Sequence, residues 1–162
     1  TQALMELGAT VCVPGGEPKC GICPCREFCR GREMWQQLPV KLPKKAKRQE
    51  DRTVFLLRCG AHWAIEKRPN KGLLAGLWQF PNESGHFSAE EAVAWAEKKG
   101  LHPKHVERSV DRHHIFTHIR WDMRGWFLEV DAMTPDLHWL TLEQIDEQAA
   151  LPTAFRQFRE EI

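Results

Sequence analysis

No uncharged apolar run in this 162-residue chain approaches the roughly 18 to 20 residues that a bilayer-spanning helix needs, which excludes a helical membrane protein. Nothing at its start resembles the basic and apolar leader of a secreted protein. Internal repeats are absent, and net charge nearly so, at +1. With 42% hydrophobic and 28% charged residues, composition also excludes collagen, coiled-coil and disordered chains. It describes a soluble globular protein of one domain plus a smaller module, or of two small domains. The chain opens on Thr1 rather than Met, and TQALMELG reads as helix already under way, so it is expected to be a piece of a longer protein.

The small net charge conceals an asymmetry. Through Arg52 there are 10 basic and 6 acidic residues, and beyond it 13 basic and 16 acidic. A front at +4 joined to a remainder at −3 suits a polyanion-facing segment attached to a near-neutral domain, a signal that needs a second feature before it points to nucleic acid. Cysteine is scarce outside one stretch: five of the six lie between Cys12 and Cys29, and Cys59 stands alone in an apolar run. Thiols crowded into one loop mark a ligand set in a reducing compartment rather than a disulfide framework, so an intracellular location is expected.

Cys12, Cys20, Cys23 and Cys29 are spaced x7, x2 and x5. Four thiolates on one loop can enclose a tetrahedral Zn²⁺ or a cubic iron–sulfur cluster. Zinc ribbons usually carry two distant C-x2-C knuckles, whereas the short knuckle occurs here once, which favours the cluster. Cys25, directly after Pro24, is expected to be a spectator.

Residues 1–9 read as a helix with Ala3, Leu4 and Leu7 on one side and Gly8 as its stop. From Pro39 the text becomes PVKLPKKAKRQEDR, with six basic residues and two prolines in fourteen positions, a linker composition that marks a domain boundary. Strand-like runs follow at 53–59 (TVFLLRC) and 62–67 (HWAIEK) around a Gly60-Ala61 turn. The apolar, glycine-punctuated stretch 69–81 is expected to form a shaped loop leading into a short strand. A helix is expected over 88–99, because Ser88 and Glu91 make a capping box and Gly100 supplies the stop. Strands at 105–110, 113–116, 119–130 and 138–140, a short helix from the Thr141 cap and another over 152–162 complete an α+β domain of mixed sheet and helices. On residues alone, the tryptophans at 78, 121, 126 and 139 read as core, Phe116 as core and His118 as a solvated turn residue.

ALMELGATVC followed by C-x2-C-x5-C resembles the cluster-binding end of the helix-hairpin-helix DNA glycosylases, the superfamily of endonuclease III and the adenine glycosylases of the MutY type. One additional residue separates Cys12 from Cys20 here, and Pro14 to Glu17 fill a loop that tends to be basic in relatives, leaving Lys19 as its cation toward DNA phosphate. GLLAGLWQFP at 72–81 and FTHIRWDM at 116–123 resemble signature stretches of the C-terminal domain of adenine glycosylases, a Nudix-like domain related to the MutT hydrolases of 8-oxo-dGTP. The resemblance implies three parts: residues 1–35 ending a glycosylase domain with a [4Fe–4S] loop on Cys12, Cys20, Cys23 and Cys29, a basic linker at 36–52, and a Nudix-like domain at 53–162. It further implies a monomer that acts in the bacterial cytoplasm at the nucleoid, on double-stranded DNA holding 8-oxoguanine opposite adenine. Phe116, Thr117 and His118 match the family's F-S-H lesion loop, with threonine for the commoner serine; the hydroxyl keeps both hydrogen-bonding roles. Among the linker cations, Lys44, Lys45, Lys47 and Arg48 are candidate phosphate contacts, which would add salt-dependent, sequence-blind affinity; otherwise they are a solvated tether.

A working Nudix box uses glutamates to hold Mg²⁺ against a diphosphate. Aligning its terminal Gly on Gly100 puts Val93 and Ala94 where Arg and Glu belong, and Glu97 and Lys98 where the glutamate pair belongs. One carboxylate of three, beside a lysine, predicts a scaffold helix without metal chemistry. The catalytic residues for adenine excision are expected to lie upstream of Thr1, so the chain should bind without excising. The alternatives are a Nudix-type hydrolase of 8-oxo-dGTP and a non-enzymatic module that binds DNA or recruits a repair partner.

Overall fold

The computed structural model describes residues 1–40 and 46–162, and it divides into two compact units, Thr1–Lys45 and Ala46–Ile162. The first opens on α1 (Gln2–Thr10), followed by 3₁₀ turns at Cys20–Ile22, Arg26–Phe28 and Arg32–Gln37. The helix runs through Gly8 instead of stopping there, since Gly8 does not take the left-handed conformation that ends a helix. It ends at Thr10, whose carbonyl accepts the Lys19 ammonium at 3.2 Å.

The second unit contains, in chain order, β1 (Arg48–Cys59), β2 (His62–Lys67), β3 (Trp78–Gln79), β4 (Asn82–Ser84), α2 (Ala89–Lys98), β5 (Pro103–Ile115), β6 (Ile119–Val130), β7 (His138–Leu140), α3 (Leu142–Gln148) and α4 (Thr153–Arg159). The sheet runs β3-β2-β1-β6-β5, with β4 also on β1 and β7 on β2. Strands β1 and β6 pair in parallel from Arg48↔Ile119 to Arg58↔Glu129, and the other pairings are antiparallel.

Because side chains alternate along a strand, VFLL at 54–57 serves two cores at once. Val54 and Leu56 face Trp121, Met123, Ile145, Phe155 and Phe158, while Phe55 and Leu57 face Ala92, Ala96 and Leu128. Phe55 stacks on Trp95 of α2 with ring centroids 3.7 Å apart. The capping box of α2 forms as the sequence predicts: the Glu91 amide donates to Ser88 Oγ at 3.2 Å and the Ser88 amide to Glu91 Oε2 at 2.7 Å. Thr53, fully buried, receives the Phe87 amide and donates to the Gly85 carbonyl, which secures the loop that leads into this helix.

Two further expectations are corrected. The linker expected over 36–52 is strand from Arg48 onward, and Gln36 and Gln37 close a 3₁₀ turn. This polar stretch carries no apolar period because pairing with β6, not burial, holds it; Gln49 and Glu50 bond side chains of β6 instead. The interruption expected between 110 and 113 is also absent, and β5 is continuous. Its Asp111 and Arg112 are accommodated by ion pairs with Arg124 and Glu161.

Gly125 of β6 lies directly under α4: a Cβ there would stand 2.7 Å from Phe158 Cε1 and 3.2 Å from Leu56 Cδ1. Gly125→Ala is therefore expected to destabilise the fold by about 1–3 kcal/mol through overpacking, read as a lower urea midpoint with unchanged slope.

Candidate metal centre and nucleic-acid interface

Cys12 follows α1, Cys20 begins the first 3₁₀ turn and its carbonyl accepts the Cys23 amide at 3.3 Å, and Cys29 closes the second turn on the Arg26 carbonyl at 3.3 Å. These four thiols line one small cavity with Val11, Pro18, Arg26 and Arg32, and Cys25 is not among its walls. Arg26 and Arg32 thus place two cationic side chains on the wall that the four cysteines share. Close approach of the chain at Gly31 helps shape the loop, since a Cβ there would meet Leu38 Cδ1 at 2.8 Å and come within 3.9 Å of Cys29 Sγ.

Among the described residues, no three of these thiols bring their sulfur atoms within 4.8 Å of one another. Four thiols on the wall of one cavity are a donor set that a tetrahedral ion or a polynuclear cluster can take. A second group, His105, Glu107 and Glu129, does bring three ligand atoms within that distance. Its carboxylates already share a cation, because Arg58 Nη2 lies 2.5 Å from Glu107 and 3.1 Å from Glu129.

In the box helix α2, Val93 packs partly buried against the core, and Ala94, Glu97 and Lys98 are exposed. No carboxylate pair faces a common point there.

Phe116, Thr117 and His118 form the turn between β5 and β6, closed by the Phe116 amide on the Ile119 carbonyl at 2.8 Å. Thr117 and His118 are exposed, whereas the Phe116 ring is half-buried, edge-on to His114 at 4.5 Å and to Trp121 at 4.9 Å. Among the described residues neither the Thr117 hydroxyl nor the His118 imidazole meets a hydrogen-bond partner, and the phenyl ring is the root of the turn. Trp121, 1% exposed, donates its indole N–H to Glu50 Oε2 at 2.9 Å and lies 4.3 Å beneath the Arg52 guanidinium. Burial alone would raise the Glu50 carboxyl, but Trp121, Arg48 and Arg52 outweigh it and hold the group below the ordinary carboxylate range.

Among the described residues, the expected phosphate cations Lys19, Lys47 and Arg48 are engaged with the protein. Lys19 caps α1, the Arg48 side chain pairs with Glu50 at 2.5 Å, and Lys47 Nζ donates to the Phe116 carbonyl at 2.7 Å. The Arg48 amide donates to the His118 carbonyl at 3.0 Å. Lys44 and Lys45 lie outside the described residues. Sequence reasoning placed Lys47 and Arg48 in a tether and missed their union with the turn; no local pattern announces a contact between residues 69 positions apart.

A mixed sheet with one helix on one face and two on the other, and with a box-like helix after its hairpin, defines a known class: the NUDIX domain family matches residues 53–161, and the chain belongs to it. More particularly, it is similar over 96% of its length to the adenine DNA glycosylase of Homo sapiens, at 29% identity across 39% of that protein. The chain spans about two fifths of the length of the curated relatives it matches first. Among solved structures it resembles the C-terminal domain of mouse MUTYH, determined in complex with human PCNA, with a TM-score of 0.58 and 22% identity over 70% of this chain and 88% of that one. The MutT protein of Methanosarcina mazei shares the fold at a TM-score of 0.52 and 20% identity, over 73% of this chain and 95% of that one. None of the described helices is long and apolar enough to cross a membrane.

Burial, with the neighbouring His113, pushes the His114 imidazole below its ordinary value of 6.5. The folded chain therefore binds fewer protons there than the unfolded chain. Stability should be level above about pH 6.5 and fall as pH drops through that region. Unfolding midpoints at pH 7.5 and 5.5 check this: the fall is expected to shrink in His114→Gln.

Proposed function

We propose that this chain is the lesion-reading part of an adenine DNA glycosylase in base-excision repair, recognising 8-oxoguanine opposite adenine in double-stranded DNA. The observation that carries the reading is the β5–β6 turn, which presents Thr117 and His118 to solvent while both carbonyls flanking Thr117 are held by the protein. Threonine can donate or accept toward an altered base edge, and imidazole offers one donor and one acceptor. The similarity to adenine glycosylases over nearly the whole chain supports this assignment, and so does a box helix that keeps one of three metal carboxylates. Excision of the adenine, which requires the base out of the stack, is assigned to the part of the longer relatives that this chain does not span.

Within the first unit, Cys12, Cys20, Cys23 and Cys29 would hold a [4Fe–4S] cluster. When bound, such a cluster supplies a rigid cross-link among segments that bury no side chain of their own. The protein's own residues set its surroundings: Arg26 and Arg32 balance thiolate charge, and Gly31 lets the loop close behind Cys29.

The complex of the mouse domain with PCNA favours a second reading, in which this domain also recruits a protein partner. Pull-down of PCNA by the intact chain, with and without lesion DNA, separates the two.

Anisotropy with labelled duplexes tests the lesion reading. The chain is expected to bind A:8-oxoguanine more tightly than A:G and to release no adenine, and Thr117→Val should reduce the preference by about tenfold, the worth of one lost hydrogen bond. Mg²⁺-dependent release of pyrophosphate from 8-oxo-dGTP would instead support the hydrolase alternative. Iron and sulfide analysis of anaerobically prepared protein tests the cluster: both should be present, lost in Cys12→Ser and kept in Cys25→Ser, whereas zinc alone contradicts the assignment.

A further inference from the structure

In the second unit the exposed Lys47 donates its ammonium to a backbone carbonyl 69 positions away. We propose that Lys47 is a positioning residue for the 116–118 turn: its ammonium fixes the Phe116 carbonyl while the Arg48 amide fixes the His118 carbonyl, so that Thr117 and His118 project from a backbone held on both sides. The inference rests on the reading of that turn as lesion-facing.

The geometry gives each partner a fixed base. Arg48 is the first residue of β1 and pairs with Ile119 across the parallel ladder, which sets the backbone from which Lys47 departs. Phe116 is anchored through its ring to Trp121, so its carbonyl has a defined direction toward Nζ at 2.7 Å. With the closing bond from the Phe116 amide to Ile119 at 2.8 Å, three hydrogen bonds span four residues of turn. A bond from an ammonium is roughly twice as strong as a neutral one, so Lys47 contributes the strongest of the three. Hydrogen-bonding groups that are fixed beforehand do not have to be ordered when a base arrives, and that ordering is what discrimination otherwise loses.

A brace and a phosphate contact predict different salt behaviour. A phosphate contact adds affinity to every duplex and steepens the salt dependence by about one counterion. A brace acts on lesion preference and leaves that slope alone.

The test uses the full 162-residue chain with Lys47→Met, which keeps length without a donor, and Lys47→Arg, which keeps a charged donor. Binding to A:8-oxoguanine and A:G duplexes is measured across salt concentrations, together with thermal midpoint and amide exchange. Lys47→Met is expected to lose about tenfold of the lesion preference with an unchanged salt slope and thermal midpoint, and to speed exchange of the Phe116 and Arg48 amides. Lys47→Arg should restore the preference. Equal weakening on both duplexes with a slope reduced by about one overturns the proposal in favour of a phosphate contact. Unchanged preference in Lys47→Met overturns it as well. If the unmodified chain itself shows no preference, the lesion reading fails, and exchange alone decides the brace: faster exchange in Lys47→Met supports it and unchanged exchange overturns it.

Discussion

The second unit depends on one interaction, the parallel pairing of β1 with β6 from Arg48↔Ile119 to Arg58↔Glu129. It places the VFLL run at the centre of the sheet, where each face has its own core. It also aligns the start of β1 with the start of β6, and therefore with the turn that precedes β6. The backbone of Arg48 reaches His118, Lys47 reaches Phe116, and the Glu50 carboxylate receives Trp121, on which Phe116 leans. A shift of one residue in this register would turn every β1 side chain to the opposite face and separate these partners.

Scaffold and site divide the work within this pairing. The NUDIX fold brings helices to both faces of a mixed sheet, and here the box helix packs closely on it: Ala92 and Ala96 are buried and Trp95 stacks on Phe55. On the opposite face, the β5–β6 turn is rooted in the core through Phe116, Trp121 and Phe155. A loop on a rigid root is the usual place for recognition.

Legibility in the sequence follows the range of the forces. The Ser88–Glu91 capping box, the 62–67 strand after Gly60-Ala61 and the Thr141 cap are local signals, and the structure contains all three. The cysteine spacing grouped four thiols and set Cys25 aside, and the same four line one cavity. Arg48 to Arg52 were illegible as strand because their pairing partner lies some 70 residues on and their side chains are polar by design of an edge-on, solvated end. Lys47 was legible as a cation but not as a donor to the Phe116 carbonyl, and Asp111-Arg112 concealed the continuity of β5 because ion pairs with Arg124 of β6 and with Glu161 beyond α4, not apolar alternation, accommodate these residues. Gly125 gave no sign of its role, since a close approach by Phe158 is a property of packing alone.

The central claim is that this NUDIX domain reads a base through its β5–β6 turn and not a nucleotide through α2. The most direct measurement is an amide NMR titration of the labelled chain, first with an A:8-oxoguanine duplex and then with 8-oxo-dGTP and Mg²⁺. The account predicts that the duplex shifts the resonances of Thr117, His118 and Arg48 and that the nucleotide leaves α2 unmoved. Shifts along α2 at Glu97 with nucleotide and Mg²⁺, and none at the turn with duplex, would contradict it.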